Sequence, residues 1–69
     1  MTKLPSSSKV IKVLNKYGFF FKSQKGSHQK FTDGKRTVIV PAPRKEIPIG
    51  ALISISRQSG IDIKAFTER

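Results

Sequence analysis

Two tight-turn signals divide the middle of this chain into three short strands. Lys25-Gly26-Ser27 places a glycine where a hairpin needs a positive φ angle, and Asp33-Gly34 is among the strongest short hairpin signals. The predicted strands cover residues 19–24, 28–32 and 37–40, and the third ends before a proline, which cannot donate to a ladder. Three strands joined by two tight turns predict an antiparallel meander.

Helical patterns flank the strands. The first is predicted over roughly residues 7–17, capped by one of three serines at 6–8, and the second begins near Pro48 and ends at Gly60. Asp62 is expected to cap a short final turn. The periodic apolar positions are Val10, Ile11, Leu14 and Tyr17 in the first helix and Leu52 and Ile55 in the second. The predicted fold is α+β, in the order α-β-β-β-α, with the helices on one face of a three-stranded antiparallel sheet.

The charge of the chain indicates the kind of partner. Fourteen Lys and Arg residues against four Asp and Glu give a net charge of +10 at pH 7. Such an excess favours a polyanion, with nucleic acid first, an acidic protein second and a membrane surface third. No apolar run approaches the ~20 residues that span a bilayer, and the N-terminus lacks the apolar core of a signal peptide. We therefore expect a cytoplasmic protein that does not bind membranes.

The short length and the residue usage restrict the architecture and the chemistry. A chain of 69 residues predicts one domain, covering residues 1–69. The sequence has no cysteine and one histidine, so neither disulfides nor a dedicated metal site are expected. No cofactor is predicted.

The uncovered face of the sheet carries the candidate site. Side chains alternate along a strand, so Phe31 is expected to face the core while His28 and Lys30 face solvent. Lys22 and Lys25 are expected to approach from the first strand. The residues alone therefore predict a basic surface that contacts RNA.

Three sequence motifs resemble those of the HicA family. Residues 26–31, Gly-Ser-His-Gln-Lys-Phe, resemble its G-S-H-x-x-F motif. Residues 45–52 resemble its K-E-I-P-x-G-x-L segment, and residues 58–61 resemble its closing Q-A-G-L. The matches occur in order and cover roughly residues 7–61.

The resemblance implies a toxin of a type II toxin–antitoxin pair. Such toxins are similar in fold to a double-stranded-RNA-binding domain, cleave mRNA without a metal and are neutralised by a HicB-type antitoxin. The family's catalytic histidine corresponds to His28, the histidine of the G-S-H motif. We expect the RNA-binding residues to be Lys22, Lys25, Gly26, Ser27 and Lys30, with Gly26 and Ser27 shaping the turn.

Several interpretations remain open at this point. Many relatives carry another histidine after the third strand, where this chain has Ala42, so catalysis by two histidines is excluded. The same surface also fits a non-catalytic RNA-binding module, or a basic protein that only pairs with an acidic partner. Among the three phenylalanines at 19–21, one ring is a candidate for base stacking and at least two are expected in the core.

Residues outside the motif add further expectations. Ile49 and Ile53 are apolar where relatives often have polar residues, so we expect them to be exposed and to help dock the antitoxin. Arg36, Arg44 and Lys45 are candidates for more distant contacts with the RNA backbone.

Overall fold

The computed structural model describes residues 4–67, which form three helices and one antiparallel sheet. The elements are α1 (Ser7–Lys16), β1 (Phe20–Lys25), β2 (His28–Thr32), β3 (Thr37–Pro41), α2 (Ile49–Ser59) and α3 (Lys64–Thr67). The strands lie in the order β1-β2-β3, and both neighbouring pairs are antiparallel. The α-β-β-β-α order, the meander and the short final helix are therefore confirmed.

Local side-chain chemistry sets the ends of the helices. Ser6 caps α1, because its Oγ accepts a hydrogen bond of 3.1 Å from the backbone N–H of Lys9. Pro48 lies at the N-cap of α2, and Gly60 ends that helix with a φ of 74°. Asp62 accepts a 2.9 Å bond from the Lys64 N–H at the start of α3, so the predicted cap is confirmed.

The core lies on one side of the sheet, between the strands and the helices. Phe31, Val38 and Val40 supply the sheet side, and each is almost fully buried. Apolar residues from the helices and connections cover them, namely Val10, Leu14, Ile47, Leu52, Ile55, Ile61 and Phe66. Because these residues occupy only one side of the sheet, the strands expose the opposite side to solvent.

The connection between β2 and β3 lies between the two predicted strands and contains the Asp33-Gly34 signal. Thr32 pairs with Thr37, so residues 33–36 form the loop. The Asp33 carboxylate accepts backbone hydrogen bonds from Arg36 at 2.7 Å and from Lys35 at 2.9 Å. These two bonds, with Arg36 contributing most, hold the pKa of Asp33 below its ordinary value. The Asp33 carboxylate therefore stabilises this four-residue loop.

Strand β1 contains a bulge that the sequence does not reveal. Phe21 pairs with Phe31, whereas Ser23 pairs with the neighbouring Lys30, so Lys22 is an extra residue between two consecutive pairs. A bulge of this kind shifts the alternation of side chains by one position. The second half of β1 consequently presents Ser23 and Lys25 to the side of the sheet that faces away from the helices.

Candidate functional site

The solvent side of the sheet, here called the open face, consists of nine residues in three rows. Each row crosses β1, β2 and β3 through directly paired residues, because paired side chains share a face. The rows are Lys25, His28 and Pro41; Ser23, Lys30 and Ile39; and Phe20, Thr32 and Thr37. None of the nine residues is buried, so the whole face is accessible to a ligand.

His28 is the first residue of β2 and lies on the open face, as predicted. Lys25 is its direct partner across β1, and paired Cα atoms of antiparallel strands lie about 5 Å apart. Lys30 follows two residues along β2 on the same face, a rise of about 7 Å. The imidazole therefore has one lysine beside it and a second lysine in the next row.

A two-residue turn holds His28 opposite Lys25. Gly26 has a φ of 58°, and among residues 4–67 no residue other than glycine has a positive φ. This is the pattern of a turn with glycine at its first central position. The side-chain amide of Gln24 donates a 3.0 Å bond to the Gly26 carbonyl. The backbone N–H of Ala42 donates a 2.8 Å bond to the carbonyl of Ser27. The turn is thus tied to β1 on one side and to the segment after β3 on the other.

A shallow cavity of about 620 Å³ surrounds His28 on the open face. Its lining residues are Ser23, Lys25, Gly26, Ser27, His28, Lys30 and Ile39. This lining combines one imidazole with two ammonium groups and contains no carboxylate. An arrangement of this kind attracts a phosphate and places a proton acceptor beside it.

Most of the predicted site residues lie together in this cavity. Lys25, Gly26, Ser27 and Lys30 all line it with His28. Lys22 does not, because it is the extra residue of the bulge. Sequence reasoning missed Ser23 and Ile39, since simple alternation from Phe31 cannot reveal a bulge in the neighbouring strand.

The three more distant cationic candidates are scattered over the surface. The Arg36 guanidinium lies against Gly60 at the C-terminal end of α2, in the loop at the other end of β2 from His28. Arg44 and Lys45 are exposed in the segment between β3 and α2. A second groove, between α1 and α3, is lined in part by Lys9, Lys12, Lys16 and Lys64. Cationic surface therefore extends well beyond the cavity.

The exposure of the apolar residues differs in part from expectation. Phe19 is buried, but Phe20 and Phe21 are 56% and 52% exposed, so the prediction of at least two core phenylalanines is wrong. Both residues lie on β1, which is an edge strand of a sheet that has helices on only one side. Their rings therefore remain accessible to solvent. Ile49 and Ile53 are 54% and 42% exposed on α2, as expected.

Within residues 4–67, no group of three or more His, Cys, Asp or Glu side chains is placed to hold a metal ion.

No helix in the described part of the chain is long and apolar enough to cross a membrane.

The sequence was compared with models of known protein families. The model of the HicA toxin of bacterial toxin–antitoxin systems matches residues 7–61. The chain belongs to the HicA toxin family. The match confirms the resemblance carried by the three motifs and makes the protein a toxin of a toxin–antitoxin system. Among curated proteins, no significant match is found. The matched HicA region includes the whole sheet, the turn before His28 and all of α2.

Proposed function

We propose that this HicA-family toxin is a metal-independent endoribonuclease that cleaves mRNA, with His28 as its catalytic residue. The observation that carries the proposal is the shared cavity of His28, Lys25 and Lys30 on an otherwise solvated sheet face. The net charge of +10 adds a general attraction for RNA. Family membership supplies the toxin role within which such an activity acts.

The proposed reaction uses the hydroxyl group that RNA carries beside each phosphate. His28 accepts the 2′-hydroxyl proton, and the 2′ oxygen attacks the adjacent phosphorus. The bond from phosphorus to the 5′ oxygen breaks as the new bond forms, which leaves a 2′,3′-cyclic phosphate and a 5′-hydroxyl. Solvent water supplies the proton for the departing 5′ oxygen. Lys25 and Lys30 stabilise the charge that develops on the phosphoryl oxygens.

A single proton acceptor sets the expected efficiency of this site. The position at which relatives often carry a second histidine is Ala42, whose side chain is buried. No second imidazole is therefore available as a general acid. One general base contributes roughly 10²- to 10⁴-fold to a rate, so we expect a modest enzyme.

Cleavage of a long end-labelled RNA tests this function. Wild-type toxin and His28→Ala are compared in EDTA, and the ends of the fragments are determined. We expect fragments from the wild type alone, ending in a cyclic phosphate and a 5′-hydroxyl. Fragments that carry 5′-phosphates, or equal cleavage by both proteins, would contradict the proposed chemistry.

The alternative is a non-catalytic RNA-binding module that uses the same surface. A fold of this type can hold RNA through shape and phosphate contacts alone. The same experiment separates the two functions when RNA affinity is also measured. Equal binding by wild type and His28→Ala with no cleavage by either would favour the module.

Neutralisation by a HicB-type antitoxin is the second part of the proposed function. Ile49 and Ile53 lie one turn apart on α2 and are both exposed, so together they form a small apolar patch. We expect Ile49→Lys with Ile53→Lys to weaken the toxin–antitoxin complex by about tenfold or more, because buried apolar area drives such contacts. Ser8→Lys with Asn15→Lys adds the same charge on exposed positions of α1 and serves as the control. Equal affinities for the two double variants would exclude the patch from the interface.

A further inference from the structure

We infer that Phe20 stacks on an unpaired base of the bound RNA, so that the substrate of this toxin is single-stranded. The inference deepens the proposed function, since the position of the cleaved phosphate at His28 rests on that proposal. The contribution of Phe20 to binding is measurable without cleavage.

Phe20 shares the open face with the catalytic residue. It lies in the row of Thr32 and Thr37, and Lys30 occupies the row between that one and His28. Thr32 is four residues from His28 along β2, which corresponds to about 13 Å. A few nucleotides of single-stranded RNA can cover this distance. A strand with its scissile phosphate at His28 thus meets Lys30 next and the Phe20 ring after it.

The Phe20 ring is available for stacking. Its side chain is 56% exposed, and it is the one phenylalanine among the nine residues of the open face, where His28 supplies the other aromatic ring. Phe21 is similarly exposed but pairs with Phe31, and their rings meet edge to face at a centroid distance of 5.9 Å. Phe21 therefore belongs to the helix side of the sheet, and only Phe20 faces the RNA path.

The combination of this ring with cations is what points to a nucleic acid. A single exposed phenylalanine is ordinary on a protein surface. A basic track with an aromatic side chain beside it is the arrangement by which proteins hold single-stranded RNA, because the cations follow the backbone and the ring offers a face to a base. Lys25, Lys30 and Phe20 supply both parts on one surface.

The ring also distinguishes between classes of RNA. In a duplex each base is paired and stacked on its neighbours, so no base face is free for Phe20. Domains with related topology hold duplex RNA through shape and phosphate contacts, which need no aromatic ring. Stacking on Phe20 therefore selects unpaired segments, whether in open strands or in loops.

The test measures the affinity of short fluorescent RNA on the His28→Ala background, where the RNA stays intact. Phe20→Leu is compared with Phe21→Leu, since both changes remove a half-exposed ring from adjacent positions on opposite sides of β1. We expect Phe20→Leu to lose about five- to tenfold in affinity for single strands, Phe21→Leu to lose about twofold at most, and Phe20→Trp to retain or increase affinity. Circular dichroism confirms that each variant is folded.

An abasic nucleotide moved along the oligonucleotide provides the second arm. In the His28→Ala protein that retains Phe20, an abasic nucleotide at one position should weaken binding by about five- to tenfold. This loss should disappear when Phe20→Leu is added. Equal effects of Phe20→Leu and Phe21→Leu, or an abasic loss that persists without the Phe20 ring, would overturn the inference. A duplex of the same sequence that competes as well as the single strand would overturn it too. Failure of wild-type toxin to cleave RNA would instead count against the proposed function and leave these binding results intact.

Discussion

The backbone N–H of Ile39 on β3 donates a hydrogen bond of 3.0 Å to Oε1 of Gln58 on α2. Strand β3 is an edge of the sheet, so its outward N–H groups have no strand partner. Unpaired edge groups are the places at which sheets recruit other chains. Gln58 covers one of them and also joins α2 to the strand that carries Ile39 of the cavity.

Removal of the Gln58 amide should therefore weaken the domain. We expect Gln58→Ala to lower the free energy of unfolding by about 0.5–1 kcal/mol, the low end for a solvent-accessible bond. Gln58→Glu keeps an acceptor oxygen at the same position and should retain most of that stability. Urea titration of both variants measures the effect. The hydrogen bond would have no stabilising role if Gln58→Ala matched the wild type.

Ser7 makes reciprocal hydrogen bonds with Arg44 and ties the start of α1 to the segment before α2. Its Oγ accepts a 3.0 Å bond from the Arg44 N–H, and its own N–H donates a 3.0 Å bond to the Arg44 carbonyl. Ser7 is buried, so we expect Ser7→Ala to cost about 1–2 kcal/mol by leaving the Arg44 N–H unsatisfied. Ser8 is exposed, and Ser8→Ala should stay within about 0.5 kcal/mol of the wild type. Thermal or urea denaturation of the pair checks this, and equal losses would contradict it.

Asp33 should make the stability of the domain dependent on pH. Its folded-state pKa is lowered by the backbone N–H groups of Arg36 and Lys35, so its stabilising contribution is present above the unfolded pKa of about 3.9 and is lost as pH falls through the folded value. We expect Asp33→Asn to be less stable than the wild type at pH 7, because a neutral amide is the weaker acceptor. The difference should shrink towards pH 3. Urea titrations at pH 7, 5 and 3 measure it, and a constant difference would be inconsistent with this origin.

Two lysines on β1 offer a matched test of the cavity. Lys25 is directly opposite His28, whereas Lys22 lies in the bulge outside the lining. At enclosed sites, removal of one group that stabilises transition-state charge lowers kcat by about 100- to 1000-fold. For the exposed Lys25 we expect Lys25→Ala to lower kcat/KM by about tenfold or more, and Lys22→Ala by less than about threefold. Single-turnover cleavage of one RNA by both variants decides the matter. Equal losses of kcat/KM in the two variants would mean that the rate depends on the total charge of the protein and not on the position of Lys25.

The sequence predicts the elements well where local signals agree with one another. The helical spacing of Val10 and Leu14 and the αL glycine at Gly60 hold in the structure because each depends on chain neighbours alone. The position of His28 on the open face follows from alternation within β2, which contains no irregularity. The two-residue turn at Gly26 then makes Lys25 the cross-strand partner of His28.

Features that depend on pairing between distant segments could not be predicted. The bulge at Lys22 exists only in relation to β2, so nothing in the residues of β1 announces it. The bond from Ile39 to Gln58 joins residues 19 positions apart. The exposure of Phe20 and Phe21 depends on how far the helices extend over the sheet, which the apolar pattern does not specify.

The extra residue in β1 can be lost without a change in which side chains face each side of the sheet. In a regular strand, one added residue turns every later side chain to the opposite face. Here Phe21 and Ser23 keep consecutive partners on β2, so the added residue is absorbed where it occurs. A HicA-family chain that lacks a residue at this position should therefore present the same two faces at both ends of the strand. Alignments of such chains should place a gap at Lys22, and equivalent residues beyond it should be assigned by strand pairing rather than by counting.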